Sequence, residues 1–357
     1  MRQLLWLFAV VFSVVFSTVS MAHVKWFVDG QNTQVSTFQS YSLFDWPVII
    51  WAVLVVGIVS SAIVLDKYLP QPPPLGSKVK RFVIDFLSFC CGLSLLVSTI
   101  DGALIAPHLL AVGSLGSLLL ILQGVIGFIL ISNRFMFQGA CLLLWLYVGL
   151  ILLFGLQEAL EYANIFGIAL FILFSHCRSQ MLAMKFEPYA IAVLRIATGV
   201  ALISLGISEK LMGAQLGQLF LRDYAWNFMA NFGFDFFSDQ LFVLSAGMME
   251  VIFGTILVLG VVTRLNTCVI ACFMLTSNLT FLFEGNLQAA TMELFGHLPI
   301  IASALVFIFC GGGDKWVITP LLLKKGYFII VKAADSILCS AFNLCENCKS
   351  SLKVRMK

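Results

Sequence analysis

Within an otherwise apolar chain, the residues able to do chemistry are four histidines, a few isolated carboxylates and two basic side chains in or beside apolar runs. Glu293 and His297 stand four apart in one such run, a spacing that puts both on the same face of an α-helix. Such a pair can ligate a metal, relay a proton or hold a bundle together as a satisfied ion pair. Pro299, two residues on, removes a backbone donor beside them. Asp101 and His108 bracket a segment in which Gly102 and Pro107 break regular helix, and broken backbone at membrane depth is tolerated where it lines protein or a cavity. His23, were it a mature amino terminus, would offer an α-amine and an imidazole together, a nitrogen pair suited to copper. His23, His108, Glu293 and His297, with Asp101, are therefore the expected metal set, for copper or zinc. Glu250 and Arg195 are the buried charges. They read either as an ion pair with each other or as groups handling protons or substrate. Glu209 and Lys210 close an apolar run and read, taken alone, as a solvated helix end. No catalytic residue is assigned.

These groups need elements to position them, and the composition says which. Of 357 residues, 61% are hydrophobic and 11% charged, against about 45–50% and about 25% in soluble domains. The fold class expected is all-α: a polytopic transmembrane helical bundle. Apolar runs near residues 46–65, 82–100, 109–132, 137–157, 163–175, 189–207, 241–262, 265–283 and 291–311 give about nine spans, the run at 163–175 being short. The ~10-residue alternation of a transmembrane barrel is missing. A net charge of +3 does not argue for nucleic acid, and the lipid bilayer is the expected environment.

Met1 and Arg2, the apolar stretch Leu4 to Val19 and the small residues of Ser20-Met21-Ala22 read as a signal peptide, residues 1–22, with an uncleaved first helix as the rival. Residues 23–45 then form an exported segment, 46–180 the amino-terminal helices, 181–312 a helical bundle and 313–357 a basic cytoplasmic tail. With the amino terminus outside, 16 of the 21 Lys and Arg fall in inner loops and the tail. This bias matches the positive-inside rule for a bacterial-type inner membrane protein. The prolines of Leu69-Pro-Gln-Pro-Pro-Pro-Leu75 make an extended linker. Residues 216–232 mix aromatic and polar side chains, either as an interfacial helix or lid or, for Tyr224 and Trp226, as headgroup-level anchors. Cys345-x-x-Cys348 falls in the tail, and most other cysteines lie in apolar runs as packing residues. Nucleotide-binding and hydrolase motifs are missing.

Leu194-Arg195-Ile-Ala-Thr-Gly199, Ser208-Glu209-Lys210-Leu211, Gly247-Met-Met-Glu250-Val-Ile-Phe-Gly254 and Leu259-Gly260-Val-Val-Thr263-Arg264 resemble the DoxX-like (DoxX/DoxD) membrane family over residues 188–312. The resemblance implies a four-helix module with Arg195 and Glu250 facing the bundle, and a role beside thiosulfate:quinone oxidoreductase or thiol-stress partners. The five preceding spans, the exported amino terminus and the Glu293/His297 pair lie outside that pattern. The expectation is therefore an inner-membrane subunit of a redox or metal-handling system with an outward-facing copper or zinc site and a soluble or membrane redox partner. A quinone-linked subunit without its own metal and a secondary transporter using Asp101 and the Pro107 break are the alternatives.

Overall fold

A computed structural model describes residues 24–28, 38–69, 76–177 and 179–318. Residues 1–22, expected to be a signal peptide, His23, the prolines of the linker and the Cys345-x-x-Cys348 tail lie outside the described residues. The described chain is helical, with one isolated bridge between Ala103 and Leu110. Its helices are α1 (Val24–Phe27), α2 (Trp46–Asp66), α3 (Ser77–Ile100), α4 (Gly113–Ile131), α5 (Met136–Glu161), α6 (Ala163–Ser175), α7 (Gln180–Phe186), α8 (Ala190–Leu205), α9 (Ala214–Asp223), α10 (Phe228–Asn231), α11 (Asp239–Leu259), α12 (Thr263–Phe283) and α13 (Leu287–Cys310). The bundle is all-α and polytopic.

Every expected apolar run is a helix, and eight helices among the described residues are long and apolar enough to cross a membrane. The run at 163–175 is the exception. Helix α6 has 13 residues, about 20 Å at 1.5 Å per residue, which is short of the ~30 Å hydrocarbon core. It packs inside the bundle on α5 and α8, so its neighbours supply the cover that length does not.

Contacts sort the helix ends into two groups. At one end Lys80 meets Glu187, the Val262 amide donates to Asp66, and Arg195 meets residues 312–316. At the other, residues 24–28 sit among the ends of α5, α8, α11 and α13. We call these the Arg195 end and the strap end. Helix α2, apolar around its whole circumference, is largely exposed and touches α11, as a lipid-facing helix does.

Small residues set the closest crossings. A Cβ on Gly199 would lie 2.6 Å from the Gly254 carbonyl, one on Gly254 2.5 Å from the Gly199 carbonyl, and one on Gly206 2.7 Å from the Gly247 carbonyl. Helices α8 and α11 therefore approach backbone to backbone, the small-residue packing by which helices associate in lipid. Past Leu205, helix α8 widens into a π-helix, Gly206–Met212. Such a wide turn re-aims side chains and is frequent at functional positions.

Candidate functional site

The strap end holds a buried network of charged and polar side chains. The strap is Val24–Val28, in which Val24, Trp26 and Val28 are buried. The Val24 amide donates to Glu209 at 3.0 Å. Lys25 Nζ donates to Glu158 Oε1 at 2.7 Å and to both oxygens of Glu161 at 2.9 Å. The indole of Trp26 donates to the Tyr162 hydroxyl at 3.2 Å and lies 5.1 Å from the His297 ring, centroid to centroid. Gly296 makes the room. A Cβ there would be 2.2 Å from Trp26. Phe27 stacks on Phe281 and contacts Phe220 and Tyr224.

Around the strap the network continues from helix to helix. Ser208 donates to Glu161 at 2.6 Å, and His108 Nε2 stands 3.4 Å from Glu158 Oε2. Lys210 Nζ donates to Glu250 Oε1 at 2.7 Å. His297 Nδ1 is 3.4 Å from Glu293 Oε1, which also accepts from Ser277 at 2.9 Å. Glu209 is close enough to Glu161 and Lys210, and His297 to Lys210 and Glu250, for their charges to interact. Five carboxylates, two ammonium groups and two imidazoles thus share one region from which water is mostly excluded. Burial alone would lower the affinity of Lys25 for its proton, but the carboxylates of Glu158 and Glu161 outweigh it and hold the ammonium above its ordinary range.

The π-turn explains the largest departure from expectation. Glu209 and Lys210 are 1% and 2% exposed and face the network; they are no solvated helix end. The expected pairing of Arg195 with Glu250 is also corrected. Glu250 pairs with Lys210, whereas Arg195 lies 15 residues before Lys210 on the same helical path, about 22 Å away along the axis. Its guanidinium is fully buried at the Arg195 end and donates to the carbonyls of Leu257, Val258, Gly312, Lys315 and Trp316. Arg195 is a clamp between helix ends.

Of the expected metal set, His108, Glu293 and His297 join the network in two separate pairs, bridged by Trp26 and Tyr162. Asp101 is exposed and takes no part in the network's hydrogen bonds, and His23 lies outside the described residues. Among the described residues no three His, Cys, Asp or Glu side chains are grouped to hold a metal ion. The segment 101–110 does break helix, as expected, but what fills the break is Gln123, whose amide donates to the carbonyls of Leu95 and Ala103 and whose carbonyl accepts from the Ile105 amide. Lys25, Glu158, Glu161, Tyr162 and Ser208 were not singled out from the sequence. The available signal was Glu158-x-x-Glu161, two acids one turn apart closing an apolar run.

Over the strap lies the segment from α9 to α10. Trp226 is 5% exposed and stacked on Phe281 at 5.0 Å, so the headgroup-anchor reading of Trp226 is corrected. Phe220, Phe242 and Phe281 complete this apolar cap above the polar network.

The comparisons agree with this architecture. No curated protein and no solved structure matches the chain. The DoxX family model matches residues 190–284, from α8 through α12, within the stretch 188–312 of the resemblance, and does not reach the Glu293/His297 pair. Glu209, Lys210 and Glu250 thus come from the matched region, and Lys25, Glu158, Glu161 and His297 from outside it. This polytopic helical protein therefore carries a DoxX region at residues 190–284.

Proposed function

We propose that the protein is a multi-pass membrane component of a redox or transport system that exchanges protons at its strap end, the side that the Lys and Arg distribution assigns to the exterior. The observation that carries this reading is the clustering of exchangeable groups: among the described residues Glu158, Glu161, Glu209, Glu250 and Glu293 share one mostly buried region with Lys25, Lys210, His108 and His297. In a low-dielectric region the charge of such a group is set by how many protons its carboxylates and imidazoles share, and those protons belong to the network, not to single residues. The Glu158–His108 and Glu293–His297 pairs each set a carboxylate beside an imidazole, groups between which a proton can be shared. Ser208 and Ser277, each donating to a carboxylate, can rotate their hydroxyls and pass hydrogen bonds along.

A copper or zinc site draws less support, because lysine ammoniums and serine hydroxyls already engage oxygens of Glu158, Glu161, Glu250 and Glu293. The quinone link that the DoxX resemblance implies is compatible with proton exchange, since quinone reduction takes up protons with electrons.

The test is pH-difference infrared spectroscopy of the purified protein, wild type against Glu161→Gln, Glu250→Gln and Glu293→Gln. Carboxyl bands that change between about pH 5 and pH 8, with at least one lost in a variant, are the expected result. Spectra without any carboxyl change over that range would overturn the proposal.

A further inference from the structure

Beside the network lies a small, partly enclosed cavity of about 10 Å³ bordered by Ser94 of α3, Glu161, Asn164 at the start of α6, and Gly296 and Pro299 of α13. That volume matches about one water molecule and nothing larger than a bare ion. Ser94 and Asn164 are each 3% exposed, and neither side chain makes a hydrogen bond among the described residues. Two unpartnered polar side chains at one small void are the signature of a bound molecule, because buried amides and hydroxyls are otherwise satisfied. Pro299 cannot donate to the Phe295 carbonyl, so the α13 turn beside the cavity has a spare acceptor.

We propose that this cavity binds a single water, which ties the Glu161 carboxylate to Asn164, Ser94 and the proline turn of α13. The partner set is what selects water over a cation. Helix α6 begins here, and its first-turn N–H groups and positive dipole end disfavour a cation but can be accepted by a water oxygen. Glu161 and the α13 carbonyl take the two protons that water donates, and the Asn164 amide can meet it as donor or acceptor. Glu161 already faces Lys25, Ser208, Glu209 and Lys210 on its other sides. The water would give it a partner on the membrane side and link it to α13, the helix of Glu293 and His297. The binding site stands on the cavity and its lining; only its role as an extension of the proton network rests on the function proposed above.

Infrared spectra of wild type in normal and ¹⁸O-labelled water test the site. The expected result is a water O–H band, distinct from bulk, that shifts with the isotope, is lost in Asn164→Leu, which fills the cavity, and moves in Ser94→Ala, which removes one partner without adding volume. A wild type lacking such a band, or a band unmoved by both substitutions, would overturn the proposal. So would a sodium-dependent rise in melting temperature that disappears in Asn164→Leu, which would assign the cavity to a cation. A water band that obeys these expectations beside a Glu161 carboxyl that does not titrate would uphold the site and remove the proton role.

Discussion

At one end of the bundle Arg195 is enclosed by five backbone carbonyls and, among the described residues, meets no carboxylate; at the other, Lys25 and Lys210 meet Glu158, Glu161 and Glu250. Both ends bury cationic side chains, which is costly in lipid without partners. The partners differ in kind. Carbonyls have no proton to exchange, and a guanidinium keeps its own, so the Arg195 clamp has a fixed charge state and holds helices together. Carboxylates, ammoniums and imidazoles can redistribute protons, so the strap end has a variable one. Burial of charge alone does not mark a functional site; the chemistry of the partner does.

This contrast is sharpest at Lys210. Replacing it with Met leaves the partly buried Glu250 without its cation and is expected to cost up to about 3 kcal/mol, read as a lowered melting temperature in detergent. Adding Glu250→Gln should restore much of that loss. Arg195→Met should destabilise as well, through orphaned carbonyls, but Glu250→Gln should give it no relief. Rescue of both by the same change would erase the distinction between the ends.

Next in size is Gly296→Val. The added side chain takes the place of Trp26, and overpacking of this kind costs about 1–3 kcal/mol. The strap should come loose while the bundle stays folded, so amide exchange at residues 24–28 should accelerate against an unchanged α8–α11 core. Equal exchange in the two proteins would mean that Trp26 does not anchor the strap.

The pH response of the strap follows from Lys25. Its proton is held above the ordinary lysine value of 10.5, so its contribution to docking is fully present below that pH and is lost as pH rises through the higher folded value. Strap exchange rates corrected for intrinsic chemistry should thus show no loss of the Lys25 contribution from neutrality to about pH 10 and a loosening above it. Loosening that begins near neutrality and survives in Lys25→Met would point to another group.

The smallest effect belongs to the apolar cap. The Trp226 indole nitrogen is buried without a hydrogen-bond partner, so Trp226→Phe removes an unsatisfied donor along with some packing area. A change within about 1 kcal/mol of wild type is expected, measured by the same thermal unfolding.

Much of the fold could be read from the sequence, because an apolar run of about 20 residues has few outcomes other than a membrane helix. Glu293 and His297 were legible for a local reason: four residues on one helix define a shared face. The other half of the network was not. Lys25 reaches Glu158 and Glu161 across 133 and 136 residues, and no periodicity encodes such a contact. Glu209 and Lys210 were misread because a π-turn, unlike an α-helical one, leaves no mark in the hydrophobic pattern. Arg195 and Glu250 were paired as the evident buried charges of opposite sign, although the lengths of α8 and α11 carry them toward opposite ends.

Counting protons tests the central claim most directly. Purified wild type and Gly296→Val would be titrated side by side between about pH 5 and pH 8, the range in which imidazole and perturbed carboxylates exchange protons. If the strap supplies Lys25 to a proton-sharing carboxylate network, the two curves separate, the variant binding about one more proton per molecule near neutrality as the carboxylates replace the lost ammonium. Superimposable curves, with the strap shown to be released, would contradict the account.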